Sequence, residues 1–305
     1  LAFNKRGSAY CAKDDLDKAI ADFTAAIRLD PQLVEAYNNR ASVHMRRMEW
    51  EQAIGDFDSA IRLTPDSSTA YSNRGCAYSK QRNSSKAIRD FGTALRLNPR
   101  DAAAHTSRGF VYYELGDLEK AISDHNEAIR IDSQLPEAYQ NRGLVYCNRR
   151  EYDMAIADHT KAIALRPVYA EAYCSRGFCY VWTGDTGKAI SDTTRAIQLN
   201  PNYVEAYQSR GNAFMRKGRF DKAIDDYTEA IRRRPNNAEG YLFRGLGYSK
   251  MGTHDKAIAD FSQAIKLKPD YADAYQCRGV VYREIGEGTK SEGDLLKAET
   301  LRNKP

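Results

Sequence analysis

Residues 204–237 read VEAYQSRGNAFMRKGRFDKAIDDYTEAIRRRPNN, and the next block, residues 238–271, reads AEGYLFRGLGYSKMGTHDKAIADFSQAIKLKPDY. Laid over one another, the two blocks share arginine (Arg210, Arg244), glycine (Gly211, Gly245), aspartate (Asp226, Asp260), alanine (Ala230, Ala264) and proline (Pro235, Pro269) at a spacing of 34 residues. The register extends in both directions. Arginine stands at 6, 40, 74, 108, 142, 176, 210, 244 and 278, aspartate at 22 through 294 and alanine at 26 through 298, each at the same interval. Self-similarity at a fixed period of this size is the mark of a repeat architecture. The 305 residues are one short of nine such units.

Numbering each unit 1–34, with position 1 at residues 34, 68, 102, 136, 170, 204, 238 and 272, separates two amphipathic helical stripes. Positions 3, 4, 7, 8 and 11 recur at helical spacing, and so do positions 20, 21, 24, 27, 28 and 30. The pattern predicts helix A near positions 3–14 and helix B near 18–30, eighteen helices in nine units. Position 15 is glycine in five units (Gly116, Gly184, Gly218, Gly252, Gly286), where helix A can end in a left-handed cap. Proline at position 32 follows helix B in seven units and cannot continue it. Position 8 is glycine in all units but one, which has Ala41, and position 27 is always alanine, with aromatics at positions 4 and 11 beside them. Large residues set against small ones let helices pack densely.

This pattern resembles the tetratricopeptide repeat family along the whole chain. The family signature is matched in residues 204–237 by Tyr207, Gly211, Phe214, Ala223, Tyr227, Ala230 and Pro235. It departs at position 7, usually apolar in the family and arginine throughout here. The resemblance implies an all-α, right-handed superhelical solenoid of antiparallel helix pairs, with helix A lining a concave groove. It implies one array over 1–305, with repeats 1–33, 34–67, 68–101, 102–135, 136–169, 170–203, 204–237, 238–271 and 272–305. The last repeat is expected to cap the array, because Ser291, Glu292, Glu299 and Asn303 replace its usual Ala, Ile, Ile and Pro.

Composition narrows the function. With 42% hydrophobic and 29% charged residues the chain is apolar enough to fold, and a net charge of +5 is too small to coat nucleic acid. No apolar run reaches the roughly 20 residues of a membrane span. No signal peptide is expected, and Leu1 in place of Met suggests a piece of a longer protein. Six cysteines without a CxxC pair suggest free thiols in a reducing, cytoplasmic setting.

Candidate chemistry is sparse. His125 and His159 share position 24, in the core stripe, and are expected to be core imidazoles with no carboxylate or cysteine completing a ligand set. Cys147 and Cys174 are expected to face the groove. No catalytic triad, phosphate loop or carboxylate pair is present, so catalysis, a metal and a cofactor are not expected. The arginines at position 7 and aspartates at position 23 are expected to form an internal ion-pair ladder, although an arginine ladder for acidic ligands is the rival reading. The run Arg232, Arg233, Arg234 reads as helix-end cations.

The resemblance places positions 2, 5, 6, 9, 12 and 13 on the groove wall. Asparagine at position 6 in family members can bind a peptide main chain, since an amide both donates and accepts. Here that position holds Asn39, Asn73 and Asn141. Phe110, Tyr113, Leu144, Phe178 and Trp182 form an unusually apolar stretch at positions 9, 12 and 13. Trp182 is expected to support no neighbour in the free protein, whereas Trp50, at position 17, is expected to pack between helices. A carboxylate clamp is not expected, for position 5 carries no lysine and position 2 is often acidic. The expected function is a non-catalytic scaffold that binds a partner peptide or helix. The rivals are a substrate-recruiting arm of a larger enzyme and an RNA-binding helical repeat. No nucleic-acid partner is expected, and self-association through an end repeat stays open.

Overall fold

A computed structural model describes residues 1–303. All regular structure among the described residues is helical. The helices are α1 (Ala2–Ala12), α2 (Leu16–Leu29), α3 (Val34–Arg46), α4 (Trp50–Leu63), α5 (Ser68–Lys80), α6 (Ser84–Leu97), α7 (Ala102–Glu114), α8 (Leu118–Ile131), α9 (Pro136–Asn148), α10 (Tyr152–Leu165), α11 (Ala170–Thr183), α12 (Thr186–Leu199), α13 (Val204–Arg216), α14 (Phe220–Arg233), α15 (Ala238–Lys250), α16 (His254–Leu267), α17 (Ala272–Glu284) and α18 (Gly288–Arg302). Odd-numbered helices are the A helices and even-numbered helices the B helices. In most repeats helix A covers positions 1–13 and helix B covers 17–30, within two or three residues of the expected bounds. Two compact units are present, Leu1–Val145 and Tyr146–Pro305. In each unit, helices pack against their neighbours in chain order, and some A helices also touch the next A helix, as α1 does α3 and α11 does α13. This is the nearest-neighbour packing of a solenoid of helix pairs.

The periodic small residues sit where the pairs close. Alanines at positions 20 and 27 are almost wholly buried, for example Ala53, Ala60, Ala189 and Ala196. At position 8 the reason for glycine is a close approach by the position 24 side chain. A Cβ on Gly211 would lie 2.6 Å from the Tyr227 ring, and one on Gly7 would lie 2.7 Å from the Phe23 ring.

The three-residue link between helices A and B has one fixed requirement. Position 15 takes a left-handed conformation in all nine repeats, whether or not it is glycine. The glycines have φ between 71° and 90°, and Asp14, Met48, Arg82 and Arg150 have φ near 60°. A side chain costs roughly 1–2 kcal/mol in that region, so four repeats carry strain that the other five avoid. The aspartate or asparagine that follows at position 16 caps helix B in several repeats, as Asp117 does by accepting from the Lys120 backbone N–H. We therefore expect Met48→Gly and Arg82→Gly each to raise stability by about 1 kcal/mol, with Gly184→Ala lowering it by a similar amount. Urea unfolding midpoints check all three.

Candidate functional site

One polar motif repeats in the interior. In repeats one to four and six to nine, the position 7 arginine grips the position 23 aspartate of its own repeat with two parallel hydrogen bonds. Arg176 donates from Nε and Nη2 to Asp192 at 2.7 and 2.8 Å, and Arg108 donates likewise to Asp124 at 2.7 Å in both bonds. In most repeats after the first, the remaining nitrogen, Nη1, reaches back to a side chain at position 25 of the preceding repeat; Arg108, which faces Gly92 there, is the exception. Arg40 finds Thr24, Arg74 finds Asp58, Arg142 finds Asn126, Arg210 finds Thr194 and Arg278 finds Ser262. The guanidinium also lies over position 4 and 11 rings, as Arg176 does over Tyr173 and Tyr180 at 5.7 and 6.0 Å. These arginines are committed to holding the fold, so the ligand-ladder reading gives way to the structural one. Arg6, at the array's first helix, is the exposed exception.

The pair balances burial against its donors differently from repeat to repeat. At Asp124 burial pushes the carboxyl up, yet bonds from Arg108 and from His105 (3.0 Å) outweigh it and its pKa lies below the ordinary range. At Asp226 burial prevails over Arg210, helped by the nearby charges of Asp225 and Glu229, and the pKa rises.

The position 2, 5, 6, 9, 12 and 13 side chains of successive A helices line shallow depressions, and position 24 supplies their floor. In the first unit a depression of about 310 Å³ is lined by Phe110 and Asn141 with Cys76, Ser107, Glu137 and the ring of Phe91. Tyr113 lies beside it, its ring 6.1 Å from that of Phe110. Leu144 and Asn73 are half-buried. Asn39 is half-buried and already donates to the Asn4 carbonyl oxygen Oδ1 at 3.1 Å, so one of its amide hydrogens is spoken for.

In the second unit two adjoining depressions, of about 400 and 500 Å³, share Phe243 and Leu246. Phe178, Trp182, Met215 and Tyr227 line the first, whereas Lys250, Asp273, Gln276 and Glu284 edge the second. Sequence reasoning passed over Phe243, although its signal was visible: position 6 is otherwise polar or small. The expectation that Trp182 supports no neighbour is corrected. Although 50% exposed, its indole stacks on Tyr152 (6.1 Å, 5° between planes), meets Phe178 edge-on and lies under the Arg216 guanidinium at 5.0 Å. Trp50, half-buried, begins α4.

The histidines divide. His44 and His105 pair with Glu49 and Asp124. His125 is fully buried, and neither ring nitrogen has a hydrogen-bond partner. Burial drives its pKa down from 6.5 to about 4. His159 is also fully buried, but the expectation that no cysteine completes a ligand set beside it is corrected: Cys147 Sγ lies 3.8 Å from its Nε2, and Cys179 Sγ is within 4.8 Å of both. The Cys147 thiol is held below its ordinary pKa by hydrogen bonds with Cys179 and His159, against the opposing push of burial. Cys174 is buried against Tyr203 rather than open to the groove as expected, and burial pushes its pKa up to about 12. In the basic run, Arg232 pairs with Glu229, Arg233 donates to the Pro201 carbonyl and the Tyr207 hydroxyl, and Arg234 pairs with Glu205.

A family profile described as Tetratricopeptide repeat matches residues 68–101, 170–203 and 204–237, and a second described as TPR repeat matches 7–47, 109–149 and 245–286. Together they take in well over half of the chain. The chain belongs to the tetratricopeptide repeat family. Solved structures with similar folds include the Cut9–Hcn1 hetero-tetramer of the APC/C, with a TM-score of 0.73, 18% identity and coverage of 87% of this chain and 52% of that one. This chain thus spans about half the length of that neighbour. A tetratricopeptide repeat protein from Parabacteroides merdae ATCC 43184 gives 0.62 at 19% identity, covering 81% of this chain and 98% of that one. The pilF protein of Pseudomonas aeruginosa gives 0.61 at 18% identity, covering 72% and 96%. At these identities the likeness is one of fold. A comparison with curated proteins found no match. None of the described helices of this tetratricopeptide repeat array is long and apolar enough to cross a membrane.

Two outcomes follow for the array. Arg176→Leu strands a buried carboxylate and is expected to cost about 3–5 kcal/mol, whereas Lys120→Ala, at an exposed pair with Asp117, is expected to leave stability nearly unchanged; thermal and urea unfolding compare them. His125→Phe installs the residue that Phe91 already provides at the same position, and is expected to stabilise by about 1–3 kcal/mol by removing two unmet polar atoms. The folded protein cannot accept a proton on His125 until about pH 4, while the unfolded chain accepts one below about 6.5. Stability is therefore full above pH 6.5 and drains away as pH falls toward 4. The gap between His125→Phe and the parent chain should widen between pH 7 and 5, as unfolding midpoints at the two pH values will read.

Proposed function

We propose that this chain is a non-catalytic protein-interaction scaffold that takes a segment of a partner protein on its A-helix face. The observation that carries this reading is the pair of adjoining depressions in the second unit, joined through Phe243 and Leu246. Apolar walls that stay open to water favour a ligand able to cover them. Two linked hollows suit a peptide that sets down two apolar side chains in sequence, with its charged groups meeting the mixed rim of Arg216, Lys250, Asp273 and Glu284. Phe178 and Trp182 give the first hollow its aromatic anchor, of the kind that dominates binding energy. In the first unit, Phe110 and Asn141 pair an apolar contact with an amide able to bind a main chain. Tyr113, Leu144, Asn39 and Asn73 extend the same face, with Asn39 contributing less because Asn4 already engages it.

A displayed library of random peptides, selected against the purified chain, tests the reading. Enriched peptides are expected to carry paired apolar residues. Phe243→Ser and Trp182→Lys use residue types that other repeats carry at positions 6 and 13, as Ser209 and Lys80 show. Each is expected to weaken the selected peptides about 30-fold or more, equivalent to roughly 2 kcal/mol. Trp182→Lys should also lower the melting temperature slightly, because its stack on Tyr152 is lost. Peptides that bind both variants as well as the parent chain would place the interaction elsewhere.

A further inference from the structure

We propose that Cys147, His159 and Cys179 form a metal site for a thiophilic closed-shell ion, zinc(II) or copper(I), bound through two sulfurs and one imidazole nitrogen. The three residues come from α9, α10 and α11, and their donor atoms all lie within 4.8 Å of one another. His159 presents Nε2 to the Cys147 sulfur at 3.8 Å. Bonds of about 2.3 Å to sulfur and about 2.0 Å to nitrogen place the donors of a tetrahedral ion about 3.5–3.8 Å apart. One edge of the triangle already has that length, and the others need contract by at most about 1 Å.

The repeat supplies its own control. The three residues stand at positions 12 and 24 of repeat five and position 10 of repeat six. In repeat one the same positions hold Cys11, Phe23 and Val43, and these pack as part of an apolar cluster. Repeat three has Ser79, Phe91 and Val111, repeat four has Tyr113, His125 and Val145, and repeat eight has Ser249, Phe261 and Val281. A single ligand-type residue thus turns up elsewhere, but the complete set occurs at this one place in the array. Packing does not demand it, because repeats one, two, three and eight fill position 24 with phenylalanine (Phe23, Phe57, Phe91, Phe261) and set valine or alanine against it at position 10 of the next repeat (Val43, Ala77, Val111, Val281). His125 shows what the imidazole alone does at position 24: both nitrogens go unmet.

The donor set selects the ion. Two thiolates and an imidazole suit zinc(II) and copper(I) and disfavour magnesium or calcium, which take oxygen. Zinc would keep a fourth position for water or an outside ligand, whereas copper(I) is satisfied by three donors. Cys179 and His159 are fully buried, and Cys147 is the half-buried member through which the ion would enter. On binding, each thiol gives up its proton to solvent, the neutral imidazole gives up none, and no electron is transferred.

The test is titration of the reduced, metal-free chain with zinc(II), and separately with copper(I), each in competition with a chromophoric chelator. Substitution with cobalt(II) adds a thiolate-to-cobalt absorption band as a direct readout. One ion per chain is expected, with a rise in melting temperature. Binding by zinc alone, by copper alone or by both supports the site and distinguishes the resident ion. The variants borrow residues the chain already uses at the same positions: Cys147→Ser (Ser79), His159→Phe (Phe91) and Cys179→Ala (Ala213). Each should fold and lose at least 100-fold in affinity together with the cobalt band, while Cys174→Ser, outside the cluster, leaves both unchanged. The proposal is overturned if neither ion binds one per chain, if His159→Phe or Cys179→Ala binds as the parent does, or if Cys147 and Cys179 prove to be a disulfide that persists under reductant.

Discussion

Everything in this array is organised around a guanidinium with three jobs. The position 7 arginine closes its own helix pair through a two-bonded aspartate, ties that pair to the one before through Nη1, and lies against the tyrosines at positions 4 and 11. A buried carboxylate is costly unless its lone pairs are met, and the planar fork of arginine meets them in the one geometry that a lysine cannot copy. Because the same bonds recur in nearly every repeat, they fix the rotation of helix A against helix B and the offset between repeats. An apolar residue at position 7, usual in the family, would pack without dictating either.

That commitment frees the A-helix face. Positions 8, 20 and 27 must be small, position 24 must fill the gap over the position 8 glycine, and positions 7 and 23 are taken by the ion pair. The groove positions carry none of these duties and vary from repeat to repeat. The proposed binding reading rests on residues where the structural period is silent, such as Phe243 at a position otherwise polar or small.

Local departures from the period mark strain or chemistry. Asp14, Met48, Arg82 and Arg150 accept the left-handed turn without glycine's freedom. His125 sits in an apolar slot with both nitrogens unmet, whereas His159, in the equivalent slot one repeat later, meets two sulfurs. Identical backbone frames with different occupants separate a tolerated polar residue from an assembled cluster.

By itself the sequence determined the repeat, the helix pairs, the left-handed turn and the family, because each depends on spacing along the chain, and nine copies make spacing unambiguous. It also favoured pairing arginine with aspartate, since their counts match at fixed offsets, but an arginine ladder for acidic ligands had the same period, and the two-bonded grip seen in three dimensions decided between them. Whether the aspartate was in the same repeat or the next was beyond it, as both offsets are equally periodic; the tertiary structure chose the same repeat. The stacking of Trp182 on Tyr152 and under Arg216 was likewise decided only in three dimensions, because it joins α10, α11 and α13 across distances no period records. So was the meeting of Cys147, His159 and Cys179, which share no position in the repeat and come together only because helix A of one repeat leans on the core of the repeat before it.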